Sequence, residues 1–149
     1  MTGSRLRSIV RSFLRPPTRT EGPAATAYSP QADGLADPGE VVWAWVAYDD
    51  DPNLGKDRPV LIVGRDGATL LALQLTSKDH DLDADDEARY GRYWMDIGSG
   101  GWDGAGRASE VRLDRLLRLD EAGVRREGAA LDRETFDAVV AAARERHTL

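Results

Sequence analysis

The sequence predicts a mainly β, α+β fold: a small, partly open β-barrel with a C-terminal helix. Three observations carry this expectation. From position 38 onward, short runs dense in β-branched and aromatic residues recur between turn residues. Near the C-terminus, Phe136, Val139, Val140 and Ala143 follow helical spacing behind Asp132, a fitting N-cap. The length of 149 residues suits one domain with a short appendage better than two cores.

In chain order, residues 1–15 place Leu6, Ile9, Val10, Phe13 and Leu14 on one helix face with arginines on the others, a basic amphipathic helix. Arg7 and Arg11 interrupt what would otherwise be a signal-peptide core, so secretion is not expected. Such a helix can anchor at a membrane surface, dock on a partner, or pack or fray as a plain extension. Pro16-Pro17 ends it, and residues 18–37, rich in Ala, Pro, Gly, Ser and Thr without periodicity, read as a linker. The expected division is therefore 1–37, N-terminal basic helix and flexible linker, and 38–149, barrel domain.

Within that domain, 41–48, 59–63 and 70–75 are the first three strands. Asp66-Gly67 is a two-residue hairpin signal of the type I′ kind, so the three should form a meander. Residues 92–97 supply a fourth strand and 110–113, with alternating apolar and charged residues, a fifth. The glycine-rich run 98–106 between them is a flexible loop without Gly-Lys-Ser/Thr, which rejects a P-loop. The terminal helix should cover one side of the strands.

Composition narrows the chemistry. Gly and Pro together number 22, too few for a low-complexity chain, so a folded body is expected. There is no cysteine, which removes thiol nucleophiles and disulfides. Only His80 and His147 are present, which argues against a multi-histidine metal site. The longest apolar run, 41–48, is 8 residues, well short of a membrane span, and the chain reads as soluble. Residues 1–20 carry five arginines and no acid, leaving 15 basic against 26 acidic residues, net −11, in 21–149. A body of that charge repels polyanions, so any nucleic-acid role requires a local basic patch.

Three constellations could carry chemistry. Residues 79–87 hold six acids in nine positions, and Asp79, Asp81 and Asp83 imitate a calcium loop. The sixth loop position is Ala84 and the twelfth Tyr90, where Gly and a bidentate Glu are needed, so a solvated acidic loop is the reading, with weak divalent binding as the alternative. His80 inside it reads as a surface histidine. Among the four tryptophans, Trp43 and Trp45 share strand parity and thus a face, which the core should claim, while Trp102 in the glycine-rich loop is the candidate to stack on or contact a ligand. The third set is Arg58 before Pro59, Thr76-Ser77 at a strand end, and Arg112 and Asp114 two residues apart on one strand face. Each has an ordinary structural reading. Together they form a possible kit for RNA cleavage by its own 2′-hydroxyl: a base, positive charge for the phosphorane, and hydroxyl or backbone donors, with no metal.

The order of these motifs resembles a known family. Pro-Gly-Glu-Val-Val-Trp-Ala-Trp-Val at 38–46, followed by Gly-Lys-Asp-Arg-Pro-Val-Leu-Ile-Val at 55–63, resembles the opening of the MazF/PemK toxin endoribonucleases. Leu75-Thr76-Ser77 resembles that family's Thr-Ser strand end, and 109–120, with its Arg-x-Asp, is similar to the late strand of the PemK-like branch. The terminal helix from Leu131 also fits, and the likeness spans about 38–146. It implies an SH3-like barrel and a homodimer in the cytoplasm. It also implies the toxin half of a type II toxin–antitoxin pair, neutralised by an antitoxin tail lying in the RNA groove. On the same grounds the chain should be a sequence-selective, metal- and cofactor-independent endoribonuclease acting on single-stranded RNA. Arg58, Thr76, Arg112 and Asp114 would be catalytic, with Asp114 the base and the arginines stabilising charge; Ser77 would bind RNA, with Trp102 beside it. The alternative is a non-catalytic barrel that binds a peptide or regulatory partner. The chain departs from the family at 49–54, Asp-Asp-Asp-Pro-Asn-Leu, where relatives often carry His or Glu-Gln.

Overall fold

The computed structural model describes residues 28, 29, 35–77, 87, 89 and 91–149. The N-terminal amphipathic helix, most of the linker and nearly all of the acidic stretch 79–87, His80 included, lie outside the described residues. Strands β1 (Glu40–Tyr48), β2 (Asp51–Asp66), β3 (Thr69–Thr76), β4 (Trp94–Gly98), β5 (Ser109–Arg112), β6 (Leu117–Asp120) and β7 (Val124–Ala130) precede one helix, α1 (Arg133–Ala143). They form a curled, antiparallel half-barrel in the order β4-β5-β3-β2-β1-β7, with β6 also paired to β3.

The curl gives the sheet two apolar interiors, because alternate residues of a strand point to opposite faces. On one face, Val41, Leu61, Leu73, Leu75 and Val111 pack against Phe136, Val139, Val140 and Ala143 of α1. On the other, Val42, Ala44, Val46, Val60, Ile62, Leu70 and Ala72 are covered by Leu117, Leu119 and Val124 from β6 and β7. The expected helix is present, and Asp132 caps it by accepting a hydrogen bond from the Thr135 backbone N–H at 3.0 Å. The chain end returns to the sheet: Leu149 is buried, and His147 Nε2 lies 2.9 Å from the Leu113 carbonyl oxygen. A carbonyl can only accept, so that nitrogen carries the proton.

The five expected strands are found, two more accompany them, and several boundaries move. β2 begins at Asp51, not 59, because its charged first half pairs by backbone with the end of β1: Ala44 opposite Arg58, Ala47 opposite Gly55 and Tyr48 opposite Asp51. Asp49-Asp50 is therefore the tight turn, and Pro52, Asn53 and Leu54 bulge out of β2 behind it. Gly55 is needed there, since a Cβ would fall 2.3 Å from the Val46 carbonyl oxygen and 2.8 Å from the Trp45 ring. The second hairpin turn sits one residue later than expected. Asp66 pairs with Thr69, so the turn residues are Gly67 and Ala68, with Gly67 at φ 64°. β6 is a short Leu-Arg-Leu-Asp alternation, and β7 carries Arg, Arg, Glu, Gly and two Ala, a poor strand composition; β3 and β1 recruit them through edge pairing.

The tryptophan expectations also need correction. Trp45 is 50% exposed, because its face of β1 runs past the end of the α1-covered core, and Trp43 is half-buried beside it. Trp102 is the core residue: it is 4% exposed, packs in the α1-side cluster and donates its indole N–H to Ser109 Oγ at 3.0 Å.

Candidate functional site

β3 makes the site possible by pairing two strands along one edge. Leu75 and Thr76 at its end face Val111 and Glu110 of β5, while Thr69–Ala72 at its start face β6. The chain crosses from β5 to β6 through a corner at 113–116, and this corner lies against the Asp49-Asp50 turn. Arg112 ends β5 at the corner, with Asp114 and Arg115 on it.

Arg112 is clamped twice. Its Nε and Nη2 donate to Asp114 at 2.8–3.1 Å from the protein side. Its Nη1 and Nη2 reach Asp49 at 3.0 and 2.8 Å from the open side. Burial works against the charge, yet the hydrogen bonds to Asp114 and Asp49 outweigh it and hold the guanidinium pKa above its ordinary value. The same contact, chiefly the hydrogen bond from Arg112, keeps the Asp49 carboxyl below the usual carboxylate range. Asp49 also meets Arg115 Nη1 at 3.0 Å.

Arg58 is in the opposite condition. It extends from β2 opposite Ala44, and its guanidinium makes no hydrogen bond or salt bridge among the described residues. Its pKa is lowered by burial, aided by the like charges of Arg115 and Arg112 and only partly offset by Tyr48 and Asp49. A half-buried guanidinium with no hydrogen-bonded carboxylate is able to take an anion.

Two adjoining clefts share Arg58. One, of about 330 Å³, is lined by Tyr48, Asp49, Asp50, Gln74 and the four arginines Arg58, Arg92, Arg112 and Arg115. The other, of about 400 Å³, carries Thr76, Ser77, Trp43, Lys56 and Arg107, with Trp102 in its wall. These arginines and Lys56 make a local basic cluster in a body of net charge −11. Arg92 is braced by Glu87 at 2.7 and 3.1 Å, which turns a long side chain into a fixed wall.

The structure thus brings together Arg58 and Arg112 in one cleft, and Arg58, Thr76, Ser77 and Trp102 in the next. Trp102 offers part of its surface only, since most of it is core. Asp114 lines neither cleft: besides Arg112, its Oδ1 accepts the Tyr93 backbone N–H at 2.7 Å, so its lone pairs are filled. That placement suits a carboxylate that positions Arg112. Sequence reasoning passed over Arg92, Arg115 and Asp49. Arg115 could have been found from its place one residue past the Arg-x-Asp, and Asp49 from an all-acid turn in a stretch where a cationic site was expected nearby. Among the described residues no three or more His, Asp or Glu side chains gather as they would to hold a metal ion.

Fold and site together define a small half-barrel protein with a guanidinium-lined groove at the split edge of its sheet. The family model described as PemK-like, MazF-like toxin of type II toxin–antitoxin system matches residues 37–146. The chain belongs to that family. Among solved structures it is similar to the Mycobacterium tuberculosis toxin MazF-mt6, at 18% identity and TM-score 0.46, covering 72% of this chain and 94% of that one. It is also similar to MazE-MazF from Deinococcus radiodurans, at 18% identity and TM-score 0.45, covering 76% of this chain and 92% of that one. No curated protein matches the chain significantly. No helix among the described residues is long and apolar enough to cross a membrane.

Proposed function

We propose that this toxin is a metal-independent, sequence-selective endoribonuclease that cuts single-stranded RNA through its own 2′-hydroxyl. The observation that carries the reading is Arg58, an unpaired guanidinium at the junction of two clefts, beside a second guanidinium that two carboxylates hold rigid. In the reaction the 2′-hydroxyl gives its proton to water as its oxygen attacks phosphorus, and the bond to the 5′-oxygen breaks as that oxygen takes a proton from water, leaving a 2′,3′-cyclic phosphate and a 5′-hydroxyl. Arg58 and Arg112 oppose the charge that builds on the phosphorane oxygens, where one well-placed donor is worth about 3 kcal/mol. A guanidinium keeps its protons at neutral pH, so neither is a useful proton donor there. Thr76 and Ser77 at the end of β3 orient the phosphate. Asp114, expected from the family likeness to be the base, acts here by orienting Arg112.

The same reading takes in a homodimer, a cytoplasmic setting and a cognate antitoxin. Family membership supports the antitoxin, as does a cationic groove suited to an acidic peptide. Incubation of the purified protein with total RNA in EDTA, followed by mapping of the ends, tests the reaction. Cyclic phosphate ends that vanish in Arg58→Ala and Arg112→Ala are expected. Intact RNA at high protein concentration would defeat it and favour the non-catalytic binding module.

A further inference from the structure

The two carboxylates on Arg112 are not equivalent. Asp114 follows it by two residues in the chain, has a side chain only 12% exposed, and is anchored by the Tyr93 N–H, so it cannot leave without opening the corner. Asp49 stands on a two-residue turn with a side chain 41% exposed, and a rotamer change frees it. It spans two guanidinium groups at once, with Oδ1 near Arg112 Nη1 and Arg115 Nη1 at 3.0 Å and Oδ2 at 2.8 Å from Arg112 Nη2. Two anionic oxygens laid across a planar fork are also what a phosphodiester offers. While Asp49 is in place the forks of Arg112 and Arg115 are occupied, so a phosphate laid on those two meets a like charge unless that carboxylate moves.

We infer that the Asp49 carboxylate is an internal stand-in for an RNA phosphate: a backbone phosphodiester displaces it from Arg112 and Arg115, and the Asp49-Asp50 turn gates the groove. Arg115 thereby becomes a phosphate-binding residue in addition to Arg58 and Arg112. The inference rests on the RNA reading for the identity of the polyanion. It explains how a basic cluster persists in an acidic protein without holding every passing anion: each ligand phosphate must outcompete a tethered carboxylate. Asp50, which lines the same cleft and makes no ion pair among the described residues, is the natural control for charge alone.

The test uses the full chain and a fluorescent pool of 2′-O-methyl oligoribonucleotides of mixed sequence, which bind but cannot be cut. Asp49→Asn should tighten binding about fivefold, the order expected for removing one partly exposed competing carboxylate. The slope of log affinity against log salt should stay within about 0.7 of the wild type, because the same phosphate sits on Arg112 and Arg115 in both complexes. Asp49→Ser, with less reach, should give a similar gain, which guards against a turn that merely misfolds in one variant. In an Arg115→Ala background the gain should shrink to less than about half, because the competed site is then incomplete. Asp50→Asn should tighten binding less than about twofold. Unchanged or weaker binding in both Asp49 variants overturns the inference, as does an Asp50→Asn gain equal to that of Asp49→Asn. Cleavage plays no part in this readout, so a chain that cuts no RNA yet shows the Asp49 gain upholds the displacement and defeats the nuclease reading.

Discussion

The end of the sheet covered by α1 and the end that carries the arginines are built on opposite rules. Under α1, Phe136, Val139, Leu61 and Leu73 are almost wholly buried, and each apolar surface has an apolar neighbour. At the split edge, Arg112 is over-provided with partners while Arg58 has none among the described residues. The first arrangement maximises burial. The second holds positive charge away from water without neutralising all of it, a destabilising condition that persists because the rest of the sheet is stable enough to impose it.

That contrast separates stability from activity, and substitutions can break it. The largest stability effect should come from Phe136→Ala, about 3–5 kcal/mol in denaturant unfolding, because it leaves a cavity between the helix and β1, β2 and β3. Where the folded fraction is retained, the arginine cleft should still bind oligonucleotide. Arg112→Ala comes next and should fail on both counts: it strands Asp114 beside the Tyr93 N–H and costs about 3 kcal/mol of stability. It should also abolish cleavage, and Arg112→Lys should restore charge without the fork, recovering stability better than activity.

Arg58→Ala should divide the two readouts most cleanly. No ion pair is lost, and a half-buried cation repelled by Arg112 and Arg115 is removed, so the melting temperature should hold or rise. Cleavage should fall about 100-fold, the effect of losing one preorganised donor. A melting temperature lowered as far as in Arg112→Ala would mean that Arg58 has a structural partner, and the contrast between the two arginines would collapse.

The same two rules explain what could be read from the chain. The α1 side was legible because periodic burial writes itself into residue type: 41–48, 70–75 and the Phe136, Val139, Val140, Ala143 spacing each stand where apolar residues predict them. β7 was not, since Val-Arg-Arg-Glu-Gly-Ala-Ala owes its strand to backbone pairing with β1, and backbone pairing leaves no side-chain signature. The Trp45 and Trp102 assignments were exchanged for a related reason. Parity shows which residues share a face but not how far the covering layer extends along it. At the site, Arg58, Thr76 and Arg112 could be named from motif order, whereas Asp49 and Arg115 meet only because two distant turns converge, 66 positions apart in the sequence.

Acid should sharpen the comparison least dramatically but most selectively. The carboxyl of Asp49 sits below its usual range chiefly through its hydrogen bond from Arg112. That of Asp132 does so through the Thr135 backbone N–H. A depressed carboxyl contributes its stabilisation fully above the ordinary carboxylate value near about 4 and loses it as pH falls through the lower, folded-state value. Both ends of the molecule should therefore weaken on acidification below about pH 4, and neither between about pH 6 and 8 on account of these groups. Asp49→Asn should flatten the acid limb of the melting curve while leaving helix protection in hydrogen exchange unchanged. Asp132→Asn, which keeps a capping oxygen but not the charge, should flatten it through the helix alone. If Asp49→Asn altered exchange in α1 as strongly as Asp132→Asn did, the two ends would be one cooperative unit, and gating at the Asp49-Asp50 turn would necessarily be felt by the whole fold.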